Sequence, residues 1–372
     1  MQSLKTIAFF LLIAAATTSS QNTNTKCPFQ FLYHFGDGIS DIGNSVRVEP
    51  FGPLLPPTRD PYGVTFPGHP TGRWSDGRVD VDYVAEDVGL PNIIQYLSMN
   101  MSKSYDGIIF SVARSTALNT SFFDSRGIHI PPYDIPLATQ LSWFRTYLQS
   151  NCTTQTECAK RQPSNSVVLF EFSELNDLGY ALLQGKSIQE VTTYVPLLVD
   201  AQVNAAREVI KLGATRVVYT TAAPLGCYPY ILTALSTNDT SAYDGLGCLK
   251  AVNNLALNFN ENLLKAFLAL QAEFPNLTII GADYYLTVTA QITLKTVLGF
   301  GRENPALRSC CGIGGRYNYD DRRLCGSPDA TVCPNPNDYI YWDGLHFTQQ
   351  VYRAVIGIQV VPALLLLKCR LI

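Results

Sequence analysis

Phe29-Gln30-Phe31-Leu32-Tyr33-His34-Phe35-Gly36-Asp37-Gly38-Ile39-Ser40-Asp41-Ile42-Gly43-Asn44 drives an apolar, aromatic run straight into a polar turn punctuated by glycine. A short apolar run bounded by turn residues is how a strand buried on both faces reads, so Phe29 to His34 is expected as the first strand of a parallel sheet. The same alternation recurs downstream. Val167 to Phe172 is a second such strand, and Leu198 to Leu212 carries helical spacing that stops at Gly213. Thr215 to Thr221 is β-branched and ends in the breaker Ala223-Pro224-Leu225-Gly226. Ala251 to Phe274 is a long helix, followed by the strand Leu277 to Gly281. Strand and helix in alternation predict an α/β fold, a three-layer α/β/α sandwich around a mainly parallel sheet. Ligands of such open sheets sit beyond the carboxyl ends of the strands, where residues after Phe35, after Phe172 and near Asp343 can converge.

Lys5, the apolar run Ile7 to Ala16 and the small polar residues Thr17 to Ser20 read as a secretory signal peptide over 1–20, whose apolar core is far shorter than the roughly 20 residues of a membrane span. No linker, repeat or charge run divides the remainder of the chain, which predicts one domain over 27–372. Ten cysteines, an even number, read in an oxidising compartment as disulfides. Cys152 with Cys158, Cys227 with Cys248, the cluster Cys310, Cys311, Cys325 and Cys333, and a tie between Cys27 and Cys369 are plausible staples, with the pairing left open. Neither a C-x-x-C nor a nearby His accompanies Cys310-Cys311, so zinc is not expected. Acceptor sequons at Asn100, Asn119, Asn151, Asn238 and Asn276 predict a glycoprotein with these asparagines on the surface. Lys and Arg number 27 against 30 Asp and Glu, a net charge of -3 without a basic stripe, and no nucleic-acid partner is expected. The run Val360 to Leu367 is expected as a packed final helix, and no transmembrane segment is expected.

Five blocks then carry a resemblance. They are the turn at Phe35 to Asn44, Gly72-Arg73-Trp74-Ser75-Asp76-Gly77-Arg78, Ala223-Pro224-Leu225-Gly226-Cys227, Cys310-Cys311-Gly312 with Tyr317-Asn318, and Trp342-Asp343-Gly344-Leu345-His346. In this order the chain resembles the plant GDSL lipase/esterase family, a branch of the SGNH hydrolases. The resemblance implies a serine nucleophile in the first block, an oxyanion hole built with a glycine and an asparagine from two further blocks, a C-terminal Asp-x-x-His pair, and no cofactor or metal. Asp343 and His346 match the pair, in which an imidazole takes a proton and a carboxylate fixes its tautomer. Asn176 matches the oxyanion asparagine, with Glu174 and Leu175 replacing the glycines that precede it.

The same alignment of blocks shows two departures. Gly38 stands where the serine belongs, and Arg114 stands where the oxyanion glycine belongs. Glycine offers no nucleophile, and loss of the serine from such a triad costs about 10⁶ in turnover. The expectation is therefore a secreted GDSL-like glycoprotein without classical serine-esterase activity, a pseudoenzyme that acts by binding a small ligand or a protein. Arg114 suits a carboxylate ligand through its fork of donors, or a salt bridge to Glu174. The alternative expectation is hydrolysis of acyl or acetyl esters of small metabolites, by water activated at Asp343–His346 or by Ser40. Ser40 lies two residues along the turn, which rotates its side chain about 200° away if the turn opens a helix. The apoplast, the vacuole and the endoplasmic reticulum lumen all fit the signal peptide.

Overall fold

The computed structural model describes residues 25–371 apart from positions 153, 296, 299 and 302–305, so the expected signal peptide lies outside the described residues. Its strands are β1 (Thr25–Lys26), β2 (Phe31–Gly36), β3 (Ile93–Gln95), β4 (Gly107–Ile109), β5 (Ser166–Glu171), β6 (Arg216–Thr220), β7 (Thr278–Ala282), β8 (Cys311–Gly312), β9 (Thr331–Val332) and β10 (Arg370–Leu371). Six of them make one sheet in the order β3-β4-β2-β5-β6-β7, every pair parallel. The expected α/β layering is present, with helices on both faces.

One face is aromatic. Phe31, Tyr33 and Phe35 of β2 point to it, and Phe35 stacks on Phe110 and Phe170 with ring centroids 5.1 and 5.0 Å apart. The helix Leu137–Gln149 closes this side by setting Phe144 edge-on to Tyr33 and Phe35. Lys250–Glu273 stacks Phe267 on Tyr219 further along. The opposite face, reached by Leu32, His34 and Gly36, is covered by Asp80–Asp87, Tyr284–Thr293 and Gln349–Leu366.

Phe29 is buried but makes no ladder bond, and β2 starts two residues after the predicted position. Apolarity reports burial, whereas pairing begins where a neighbour is available, here at Phe31 opposite Ser166. The apolar run near the C-terminus is the end of the longer helix Gln349–Leu366. Its packing is one-sided, since Leu364 and Leu367 are buried while Leu365 and Leu366 are 73% and 58% exposed. Among the described residues no helix is long and apolar enough to cross a membrane.

Five disulfides form: Cys27–Cys369, Cys152–Cys158, Cys227–Cys248, Cys310–Cys333 and Cys311–Cys325. The last two staple the loop before Asp343 and join a small separate core containing Tyr62, Trp74 and Trp342. All five sequon asparagines are exposed.

Candidate active site

The winding of the sheet reverses between β2 and β5, since β3 and β4 lie to one side of β2 and β5 to β7 to the other. Loops leaving adjacent strands there part and open a crevice. The turn after β2, the loop after β4 and the start of the helix Leu175–Leu183 after β5 all border it. A small cleft at this point, with room for about one water molecule, is lined by Asp37, Gly38, Arg114, Ser173, Asn176 and His346, among others.

The acids of the turn hold it in place. Asp41 accepts from the N–H groups of Gly43, Asn44, Ser45 and Ala113 at 2.7, 2.6, 3.0 and 2.9 Å, tying the turn to the loop that carries Arg114. Asn44 donates to the carbonyls of Ile109 and Ser111. Asp37 accepts from the Ser173 N–H at 2.9 Å and its hydroxyl at 2.6 Å, which anchors the turn to the end of β5.

Across the cleft, Asp343 and His346 form a complete dyad. The His346 Nδ1–H donates to Asp343, whose oxygens lie 3.0 and 2.9 Å away. The carboxylate also accepts from the N–H groups of Leu345 and His346 and from the Tyr62 hydroxyl at 2.8 Å. Burial pushes Asp343 up, but the imidazole and these donors outweigh it and hold the acid below the ordinary carboxylate value. Gly344 makes the turn possible: its φ is +95°, and a Cβ there would collide with the Tyr319 ring. Trp74 packs against the imidazole with ring centroids 5.0 Å apart. With Nδ1–H committed to Asp343, the Nε2 lone pair faces Gly38.

That approach is closer than a side chain at Gly38 allows. A Cβ built there would collide with Nε2 and lie 2.9 Å from Cδ2. Ser40 is fully buried, its hydroxyl has no hydrogen-bond partner, and it does not line the cleft. Residues 37–44 form a turn and not a helix start, so burial, and not rotation along a helix, is what keeps the Ser40 hydroxyl out of the cleft.

Arg114 and Glu174 are the surprises of the opposite wall. Both are left-handed, at φ +69° and +55°, a conformation that glycine adopts freely and other residues at a cost. Holding it keeps the backbone in register despite the large side chains. Neither the Arg114 nor the Gly38 N–H donates to any described residue. The Asn176 amide, at the first turn of its helix, donates to the Ser115 carbonyl at 2.8 Å and approaches Asp37 at 3.4 Å. The expected ion pair of Arg114 with Glu174 does not form, because Glu174 turns inward to accept from Gln202. The Arg114 Nε is buried without a partner, and the guanidinium carbon lies 5.6 Å from the Trp74 ring centroid. Burial pulls its pKa down, and the surrounding phenols of Tyr133, Tyr180, Tyr319 and Tyr230 more than offset this, holding it above its ordinary value.

Of the residues singled out in the sequence, Gly38, Asn176, Arg114 and His346 line one cleft, and Asp343 stands behind the imidazole of His346. Sequence reasoning missed Tyr62, Ser173 and the tyrosines around Arg114. Trp74 stands inside the Gly72 to Arg78 block, where the motif alone gave it no role, and Tyr62 stands in a proline-rich stretch that carries no motif.

A family model of GDSL-like lipase/acylhydrolases matches residues 32–356. Acetylajmalan esterase 2 of Rauvolfia serpentina is 44% identical over 98% of this chain and 97% of its own length. Acetylajmalan esterase of the same plant is 41% identical over 98% of this chain and 92% of its own. A GDSL esterase/lipase of Arabidopsis thaliana is 36% identical over 94% of this chain and 93% of its own.

Proposed function

Because the chain belongs to the GDSL-like lipase/acylhydrolase family and yet carries glycine against its imidazole, we propose that it forms no acyl-enzyme and binds a small carboxylate in the cleft. The observation that carries this reading is the contact of His346 with the place where a Cβ on Gly38 would stand. Gly38 occupies the nucleophile position, so no Oγ is present for Nε2 to deprotonate. On the opposite wall, the guanidinium of Arg114 has no carboxylate partner among the described residues, and the N–H groups of Gly38 and Arg114 are free of partners among them too. A carboxylate head group that enters this one-water space from outside gains hydrogen bonds from all three. The disulfides and exposed sequons fit a secreted glycoprotein.

A second reading rests on the intact dyad and on the names of the relatives, which are esterases. In it a water in the cleft gives its proton to His346 Nε2 as its oxygen attacks an acyl carbonyl. The N–H groups of Gly38 and Arg114 face the oxyanion, and the imidazolium returns the proton to the departing alkoxide.

Release of p-nitrophenol from its acetate and butyrate esters separates the two, measured on the natural chain and on Gly38→Ser, Gly38→Ser/Arg114→Gly and His346→Ala. The expected result is background turnover for the natural chain, no covalent label from a fluorophosphonate, and a gain in the double variant once the imidazole has room to swing back. Acetate binding by calorimetry, lost in Arg114→Gly, tests the ligand class. Turnover that disappears in His346→Ala without any covalent label establishes the water reading. A fluorophosphonate adduct on any side chain of the cleft sinks both.

A further inference from the structure

Away from the crevice at Gly38 and His346, on the face of the sheet opposite the aromatic stack, a cavity of about 290 Å³ runs between β5, β6 and β7 and the covering helices Tyr284–Thr293 and Gln349–Leu366. Its walls are aliphatic, with Leu169, Val218, Ile280 and Ile356 among them, and its mouth is marked by Leu286 and Leu366, 49% and 58% exposed. That volume is the lower end of what small-molecule sites occupy.

The inner end is polar and unbalanced. Asp80 and Glu171, 3% and 1% exposed, both meet the Tyr284 hydroxyl, Asp80 through Oδ2 and Glu171 through Oε1. A phenol has one proton and satisfies one of them, so as carboxylates the two acids would meet the phenol oxygen with too few donors. Asp80 Oδ1 has no partner at all. The one basic side chain nearby is His34, whose Nε2 lies 3.2 Å from Glu171 Oε2 while Nδ1 is 2.9 Å from the Ser111 hydroxyl. Among the described residues no Lys or Arg pairs with either acid. Burial pushes Glu171 up to about 8 and Asp80 well above its usual value, and burial holds His34 down near 4 and hence neutral. In the empty cavity both acids therefore keep their protons at neutral pH instead of standing as unpaired buried charges, and a cation entering there would let them ionise against it.

We propose that this cavity is a ligand site for a small hydrophobic amine, with the ammonium seated against Asp80 and Glu171 and the apolar body lying along β5, β6 and β7. An ammonium brings three donors and a positive charge, whereas an alcohol brings a single donor for Asp80 Oδ1. A carboxylate adds a third acid and is repelled. The site does not involve Gly38, Arg114 or His346, and stands whatever the cleft binds.

Three probes with one body and different heads test it: 2-phenylethylamine, 2-phenylethanol and 3-phenylpropanoate, titrated calorimetrically into the full chain. The carboxylate is measured in an Arg114→Gly background so that the cleft does not contribute. The amine is expected to bind at least about tenfold tighter than the alcohol, a factor worth about 1.4 kcal/mol, and the carboxylate not at all. Asp80→Asn should erase the amine's advantage while keeping the alcohol's affinity, and Ala363→Phe, which fills the cavity, should abolish both. If Asp80→Asn does not fold by circular dichroism, the ratio in the natural chain together with Ala363→Phe decides. Equal affinity of amine and alcohol, amine binding that survives Ala363→Phe, or no amine binding at millimolar concentration overturns the proposal.

Discussion

A side chain in the left-handed region costs about 1–2 kcal/mol relative to glycine, and Arg114 at φ +69° bears that cost beside a partnerless buried nitrogen. Two variants separate the contributions. Arg114→Ala removes the guanidinium and keeps the backbone strain, while Arg114→Gly removes both. Arg114→Gly is expected to be more stable than Arg114→Ala by about 1 kcal/mol in urea unfolding. Equal stability of the two would mean that the loop relaxes and that the strain is not stored there. At this scale the site was legible in part. Asp343, His346 and Asn176 could be read because their roles demand those residue types at fixed spacing, and Gly38 because an absence shows against a motif. Tyr62 could not be read, since a phenol supporting a carboxylate 281 positions away leaves no local trace. Nor could the inward turn of Glu174 toward Gln202, which depends on the packing of one helix against the next.

Elements were legible wherever burial and period agree. The helices Val195–Lys211 and Lys250–Glu273 start and stop within a few residues of the predicted bounds, because glycine, proline and amphipathic spacing all act locally. The short strands Ile93–Gln95, at the sheet edge, and Gly107–Ile109, next to it, were not read, because three residues carry no period and their pairing is decided by neighbours. The chain ends show what local reading leaves out: β1 and β10 form a two-residue antiparallel ladder beside the Cys27–Cys369 bridge. Two ladder residues do not hold termini together unaided, so the bridge, spanning 342 positions, is the element's main constraint. Cys27→Ser/Cys369→Ser is expected to lose about 4 kcal/mol of stability, by the loop-closure entropy returned to the unfolded chain. Calorimetric unfolding checks it, and a loss below about 1 kcal/mol would show the ends to be docked by packing alone.

Across the whole molecule, buried carboxyls set the response to pH. Burial raises Asp37, Asp80, Glu171, Glu174, Asp134 and Asp177, with Glu171 and Asp177 near 8 and Asp134 near 7. A group raised in the folded state contributes stability that is complete below its unfolded pKa, about 4 for a carboxyl, and is lost as pH rises through the folded value. Two buried groups act in the other direction. His34, lowered to about 4 by burial, contributes stability that is present above about 6.5 and lost on acidification, and Asp343, held low by His346, loses its contribution only as pH falls below the ordinary carboxylate range. Asp41, Asp76 and Asp87 are raised as well, and between about pH 5 and 8 these acids outnumber His34, so the unfolding temperature is expected to fall across that interval. Scanning calorimetry at pH 5, 6.5 and 8 measures the slope, and Glu174→Gln isolates one contributor. That variant keeps an acceptor for Gln202 and removes the titration, so it should match the natural chain at about pH 4 and exceed it at pH 8. A natural chain equally stable at pH 5 and 8 would mean that these carboxyls find water or a cation in solution. The amine site at Asp80 and Glu171 is where that cation would be sought first.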